Sequence, residues 1–263
     1  MTRFEETEIS KAILNAYHER LLDRITNDVL IVGAGPSGMM AALCLAREGF
    51  KVTVVEKRLS PGGGIWGGGM GMNQVVVQEE ALPLLDDIGI THHARGEGLH
   101  AVDAMELAAG LCLKSLQAGA VLFNLTTVED VCLRQKRVTG LVVNRTGIVG
   151  QLPVDPIVFS AKAVLDTTGH EAVVIETLRR RQLFPSDPST CEGPMDAFAG
   201  EAFVVEKAGE VFPGLWIAGM SVCAALGGPR MGPIFGGMLL SGKRVAEQIA
   251  SAISPPEAPN RKR

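Results

Sequence analysis

Val29-Leu30-Ile31-Val32-Gly33-Ala34-Gly35-Pro36-Ser37-Gly38 decides the fold. Four apolar residues run straight into a G-x-G-x-x-G loop, and an apolar, alanine-rich stretch over residues 39–48 reads as a helix. A second strand, Lys51-Val52-Thr53-Val54-Val55, ends in Glu56. Strand, glycine loop, helix, strand and acid stand in the order that binds an adenine dinucleotide. Gly33 permits the tight turn, Gly35 lets backbone approach the pyrophosphate, and Gly38 lets helix and strand pack closely. The phosphates face the helix N-terminus, where amides lack intrahelical partners. Glu56 is spaced to accept hydrogen bonds from ribose hydroxyls. NAD and FAD share this fingerprint. A carboxylate at the ribose disfavours the 2′-phosphate of NADP, although Lys57 and Arg58 follow directly.

Composition sets the outer limits. With 263 residues, 46% hydrophobic and 21% charged, the chain can bury a sizeable core as one dinucleotide-binding domain over residues 1–263. A net charge of −4 supplies no basic field for nucleic acid, and 5% aromatics supply few platforms for stacking bases. The five cysteines, Cys44, Cys112, Cys132, Cys191 and Cys223, form no C-x-x-C pair and suit a reducing, cytoplasmic setting. The polar, acidic start carries no secretory signal, and no apolar run is long enough to cross a membrane.

Ile9, Ile13, Tyr17, Leu21 and Ile25 recur every fourth residue. They predict an amphipathic helix within residues 1–27, covering the core or a subunit contact. The glycine-rich stretch over residues 61–72 carries Trp66 and is predicted to lie over the cofactor. Further helices are predicted over residues 79–88, 101–119, 171–181 and 236–254. Strands are predicted over residues 120–124, 126–128, 138–144, 163–166 and 215–219. Arg179, Arg180 and Arg181 read as a solvated face, residues 182–195 as a loop, and residues 255–263 as a disordered tail. The expected class is α/β, a Rossmann-like fold of the FAD/NAD-binding type. Its mainly parallel sheet has helices on both faces and a smaller β-rich lobe over residues 121–159.

Other groups carry chemistry. His18 reads as surface, and His92 and His93 as loop residues. His170 follows Asp166-Thr167-Thr168-Gly169, just past a buried-type strand. In a doubly wound sheet such strand ends line the ligand crevice. Asp155 stands apart in Pro153-Val154-Asp155-Pro156. A carboxylate and an imidazole suit Fe, Mn or Zn, but two residues make an incomplete site. Arg230, set among glycines and prolines in residues 227–233, has a constrained backbone. Its guanidinium can hold a carboxylate or phosphate bidentately.

These segments together resemble the thiamine thiazole synthases, especially their archaeal and bacterial branch. The resemblance runs along nearly the whole chain. It is carried by Val32-Gly33-Ala34-Gly35-Pro36-Ser37-Gly38, Val55-Glu56-Lys57, the glycine loop with Trp66, Val154-Asp155-Pro156 and Thr168-Gly169-His170. Pro213-Gly214-Leu215-Trp216-Ile217-Ala218-Gly219-Met220 adds to it, and Gly228-Pro229-Arg230-Met231-Gly232-Pro233-Ile234-Phe235-Gly236-Gly237 is the most specific segment. The resemblance implies a reaction that consumes NAD: nicotinamide leaves, the ADP-ribose carbons condense with glycine, and sulfur is added to give an ADP-linked thiazole carboxylate. By matched position, Ser37, Glu56, Lys57, Gly64 and Val128 would hold the dinucleotide. Met220 would lie near the nucleotide-linked intermediate, and Arg230 would hold the glycine carboxylate. Asp155 and His170 would bind Fe(II), each from a different subunit of a ring-like homo-octamer.

One position departs from the family pattern. Two residues before the matched aspartate the family has Cys, which gives up its own sulfur, or His, in enzymes that use free sulfide; here it is Pro153. Proline has no sulfur and no metal-binding side-chain atom, so the sulfide must be external. His93, His100 and Cys191 are the side chains with the chemistry to compensate. Two other readings stay open on sequence: a flavin- or NAD-dependent oxidoreductase, and a non-catalytic relative that binds NAD or an ADP-thiazole.

Overall fold

The computed structural model describes residues 4–150, 153–185 and 191–253. Helix α1 (Glu6–Asp23) leads into β1 (Thr26–Val32), α2 (Pro36–Arg47) and β2 (Val52–Val55). Next come β3 (Gln74–Gln78), α3 (Leu82–Ile88), β4 (His92–Ala94) and β5 (Leu99–Asp103). Helix α4 (Ala104–Gln117) precedes β6 (Val121–Phe123), β7 (Thr126–Arg134), β8 (Arg137–Arg145) and β9 (Ile157–Asp166). The last third holds α5 (Val173–Arg180), β10 (Gly193–Met195), α6 (Ala197–Lys207), β11 (Gly209–Phe212) and β12 (Leu215–Ile217). It closes with α7 (Met220–Leu226), β13 (Pro229–Arg230) and α8 (Gly236–Ala252).

The main sheet runs β11-β12-β9-β1-β2-β6, and β12, β9, β1, β2 and β6 are mutually parallel. Its central strand β1 is buried at six successive positions, so both faces are covered and period-two alternation is lost. Register puts Val32 opposite both Val55 and Asp166, and Asp166 opposite Ile217. Four strands therefore end along one line, and the loops leaving that line build one crevice. The hairpin β7–β8 joins through the first half of β9, which gives the smaller β-rich lobe expected from sequence. A separate antiparallel sheet, β3-β5-β4, lies outside the main one.

Several elements differ from the sequence expectations. Residues 99–103 form β5 rather than the start of a helix; α4 begins only after Asp103, whose carboxylate accepts the Met105 and Glu106 amides. His92 and His93 sit on β4 and not in a loop. β9 begins six residues before the predicted strand: its first half is largely exposed and pairs with the hairpin. Arg179 is no solvated side chain: its guanidinium donates to the Ala225 carbonyl at 2.7 Å and to Pro185 at 3.2 Å. Helix α1 buries none of its residues; Tyr17 and Leu21 only lean on the core. The predicted tail over residues 255–263 lies outside the described residues. Among those described, no helix is long and apolar enough to cross a membrane.

Two glycines set the first turn. Gly33 has φ of +94°, a region L side chains rarely enter. Gly38 has no room: an added Cβ would sit 2.1 Å from the Gly33 carbonyl oxygen and 2.5 Å from Thr167 Oγ1. Gly38→Ala is expected to lower stability by about 2 kcal/mol or more, since backbone overlap outweighs the gain of roughly 1 kcal/mol in helix propensity. Urea unfolding beside Gly147→Ala, where nothing lies within 4 Å, checks this; equal midpoints would contradict it.

Candidate active site

A pocket of about 420 Å³ opens at the ends of β1, β2 and β9. The first fingerprint supplies Gly33, Gly35 and Ser37; Glu56, Lys57, Gly64 and Val128 line it further along. His170, Met220 and Arg230 reach it from the later chain. Gly38 packs behind this wall. Glu56 is buried, its Oε2 accepting the Ala34 amide and its Oε1 the Arg58 amide, each at 2.8 Å. Two backbone donors thus fix the carboxylate, and each oxygen keeps a lone pair for a hydroxyl. The glycine loop is ordered by the Gly62 amide on the Ala34 carbonyl at 2.7 Å. Trp66 turns inward, its indole N–H on the Pro61 carbonyl and its ring against the core. Lys57 donates to both oxygens of Glu171, at 2.6 and 2.5 Å, and both residues line the pocket.

Asp166, fully buried at the end of β9, organises the His170 turn. Its carboxylate accepts from the Thr168 amide and hydroxyl, the Val174 and Ile175 amides, and Ser221. It therefore fixes the 3-10 turn Gly169–Glu171, the start of α5 and the first turn of α7 together. On that turn, His170 Nδ1 contacts both oxygens of Glu192, at 2.8 and 2.9 Å. Glu192 also lies 3.9 Å from Arg230 Nε. Sequence reading missed Glu192; nothing in the residues around it flags a partner so distant along the chain.

Asp155 does not join this group. It stands exposed just before β9, whereas His170 follows its end. The ten residues of β9 put roughly 30 Å between the two ends. One chain cannot bring both residues to one ion, so a centre on this pair needs a second copy. Among the described residues no group of three or more His, Cys, Asp or Glu can hold a metal ion. The His170 imidazole fits a ligand role, because a carboxylate on Nδ1 leaves Nε2 as the free donor. Pro153 is exposed in the same segment as Asp155. Neither His93 nor His100 lines the pocket of its own chain: His93 is exposed on β4, and His100 Nδ1 faces His92 Nδ1 at 3.3 Å. Cys191 is exposed beside Glu192.

Helix α8 forms the remaining wall, with Phe235 and Met238 in the pocket. Glu201 of α6 caps it, accepting the Gly237 amide at 2.5 Å. Its carboxylate is buried against Gln78 as well. Burial pushes the Glu201 carboxyl up to about 7, against the lowering effect of the Gly237 amide.

Fold and pocket define an α/β protein of Rossmann-like class whose glycine fingerprint lines a pocket at its sheet ends. The profile of the Thi4 family matches residues 10–235. A thiamine thiazole synthase of Thermococcus kodakarensis is 51% identical over 245 residues, covering 93% of this chain and 97% of that one. Its counterpart in Pyrococcus abyssi is 48% identical over 250 residues, covering 95% and 98%. The crystal structure of Thermovibrio ammonificans THI4 superposes with a TM-score of 0.91 at 44% identity, covering 95% of this chain and 99% of that one. The chain belongs to the Thi4 family, and its place is among the enzymes of thiamin thiazole biosynthesis. That membership decides against a generic oxidoreductase.

The Glu201 carboxyl rises from 4.5 to about 7 on folding. Within that window the unfolded chain binds fewer protons than the folded one, so stability falls as pH rises and levels off above it. Wild type is expected to lose on the order of 3 kcal/mol across the window relative to Glu201→Gln. Urea unfolding of both proteins at several pH values tests this, and parallel pH curves would refute it.

Proposed function

We propose that this chain makes an ADP-linked thiazole carboxylate from NAD, glycine and external sulfide, with Fe(II). The observation that carries the reading is the single pocket in which the dinucleotide fingerprint meets His170 and Arg230. Glu56 accepts from the adenosine ribose hydroxyls, and the α2 N-terminus faces the pyrophosphate. Ser37, Lys57, Gly64 and Val128 complete the dinucleotide wall, and Met220 borders the nucleotide-linked intermediate. For Lys57 to meet the nucleotide, its ammonium must leave or share Glu171. Arg230 takes the glycine carboxylate in a bidentate pair and so aims the amine at the sugar carbons.

His170, through Nε2, and Asp155 of a second copy would hold Fe(II), which supplies Lewis acidity and a docking point for sulfide when bound. The length of β9 supports this division between copies, and exposed Ile9, Ile13, Val154 and Val158 offer apolar surface for assembly, in keeping with an octamer. Pro153 donates no sulfur, so each chain is free to turn over repeatedly. The same proline favours one competing reading, a relative that binds NAD without converting it.

Anoxic incubation with NAD, glycine, Fe(II) and sulfide, followed by mass spectrometry of the denatured supernatant, separates the two. A sulfide-dependent ADP-thiazole is expected; bound but intact NAD would mean a binding relative. Arg230→Ala is expected to raise the glycine requirement about 10- to 100-fold, the equivalent of one charged hydrogen-bonded contact, with NAD affinity retained. An unchanged glycine dependence would remove Arg230 from that role.

A further inference from the structure

We infer that Glu192 is a positioning residue that sets the His170 imidazole and the Arg230 guanidinium in one register. The inference rests on the proposed function, in which His170 holds a divalent metal and Arg230 a substrate carboxylate.

The backbone arranges this first. Glu192 stands directly before β10, which pairs with β13 through Gly193↔Pro229 and Met195↔Arg230. The Gly193 amide on the Gly228 carbonyl at 2.9 Å and the Asp196 amide on the Arg230 carbonyl at 3.1 Å close the ladder. Glu192 and Arg230 thus ride on paired segments, while His170 comes from the turn that Asp166 braces. The three meet although they lie far apart in sequence.

The side chains then divide the work. Both Glu192 oxygens reach His170 Nδ1, at 2.8 and 2.9 Å, and one lies 3.9 Å from Arg230 Nε. Glu192 is the sheltered member, its side chain 19% exposed against 53% for each of the other two. An anionic acceptor makes Nδ1 the protonated nitrogen and leaves the Nε2 lone pair for the pocket. Among the described residues, Arg230 donates no hydrogen bond to a protein acceptor, so its fork is open to a carboxylate. Glu192 restrains the Nε side without filling that fork. Ion pairs this exposed contribute little to folding. Removing Glu192 therefore shows in ligand binding and not in stability.

The test is an anoxic Co(II) titration of full-length wild type, Glu192→Gln, Glu192→Ala and His170→Ala, followed by visible absorption. Co(II) stands in for Fe(II), and NAD affinity, glycine KM and the urea midpoint are read beside it. Gln keeps one acceptor oxygen and loses the charge, so E192Q is expected to weaken Co(II) about tenfold and E192A up to about a hundredfold. Glycine KM should rise in both, with NAD affinity and midpoint unchanged. Co(II) affinity in E192A equal to wild type overturns the inference while leaving the metal reading intact. Co(II) absent from wild type, or undiminished in H170A, overturns the metal reading and this role with it. A loss of stability and NAD binding in step with Co(II) makes Glu192 a structural pair and also overturns the inference.

Discussion

The buried carboxylate of Asp166 holds the site together. A fully buried acid is costly unless it is saturated with donors. Here five groups supply them, drawn from the turn after β9, the start of α5 and the first turn of α7. Its backbone stands level with Val32 and Ile217 across the sheet. The side chain thereby converts the common end of three strands into a fixed platform. From that platform His170 projects, Glu192 meets His170, and Arg230 stands beside Glu192. Burial pushes the Asp166 pKa up, and the donors pull against it.

A second constraint acts over a longer distance. β9 is one continuous strand, and the segment with Pro153 and Asp155 enters it where the pocket is not. Side chains at the two ends of a strand cannot converge, whatever their rotamers. In the proposed reaction, completing the metal site is thus a matter of quaternary arrangement. The proline lies at that remote end, far from its own chain's His170, and in the proposed reaction its effect would fall on a neighbouring copy's pocket.

The first βαβ unit was legible because its signals are local: Gly33, Gly35, Gly38 and Glu56 lie within one short run, with Gly33 demanded by its positive φ and Gly38 by the lack of room for a Cβ. Arg230 and His170 were legible as pocket residues for related reasons, a constrained loop in one case and a strand end in the other. Glu192 and the bracing role of Asp166 were not, because both depend on contacts between segments that only tertiary structure brings together. β5 was missed because alanine and leucine satisfy strand and helix alike, although Asp103 was a readable cap. The length of β9 was hidden by its exposed first half, and α6 by the loop-like residues ahead of it. The apolar face of α1 was seen correctly as a pattern, yet the pattern does not say against what it packs.

The chain contains two tryptophans. Trp216 is sealed inside β12, 3% exposed. Trp66 rides on the glycine loop, two residues past Gly64 at the pocket wall, tied by its indole N–H to the Pro61 carbonyl. Any shift of that loop alters the surroundings of one indole and leaves the other as a constant background. The intrinsic emission of this protein is therefore a local optical gauge of the pocket rim, built in without a label.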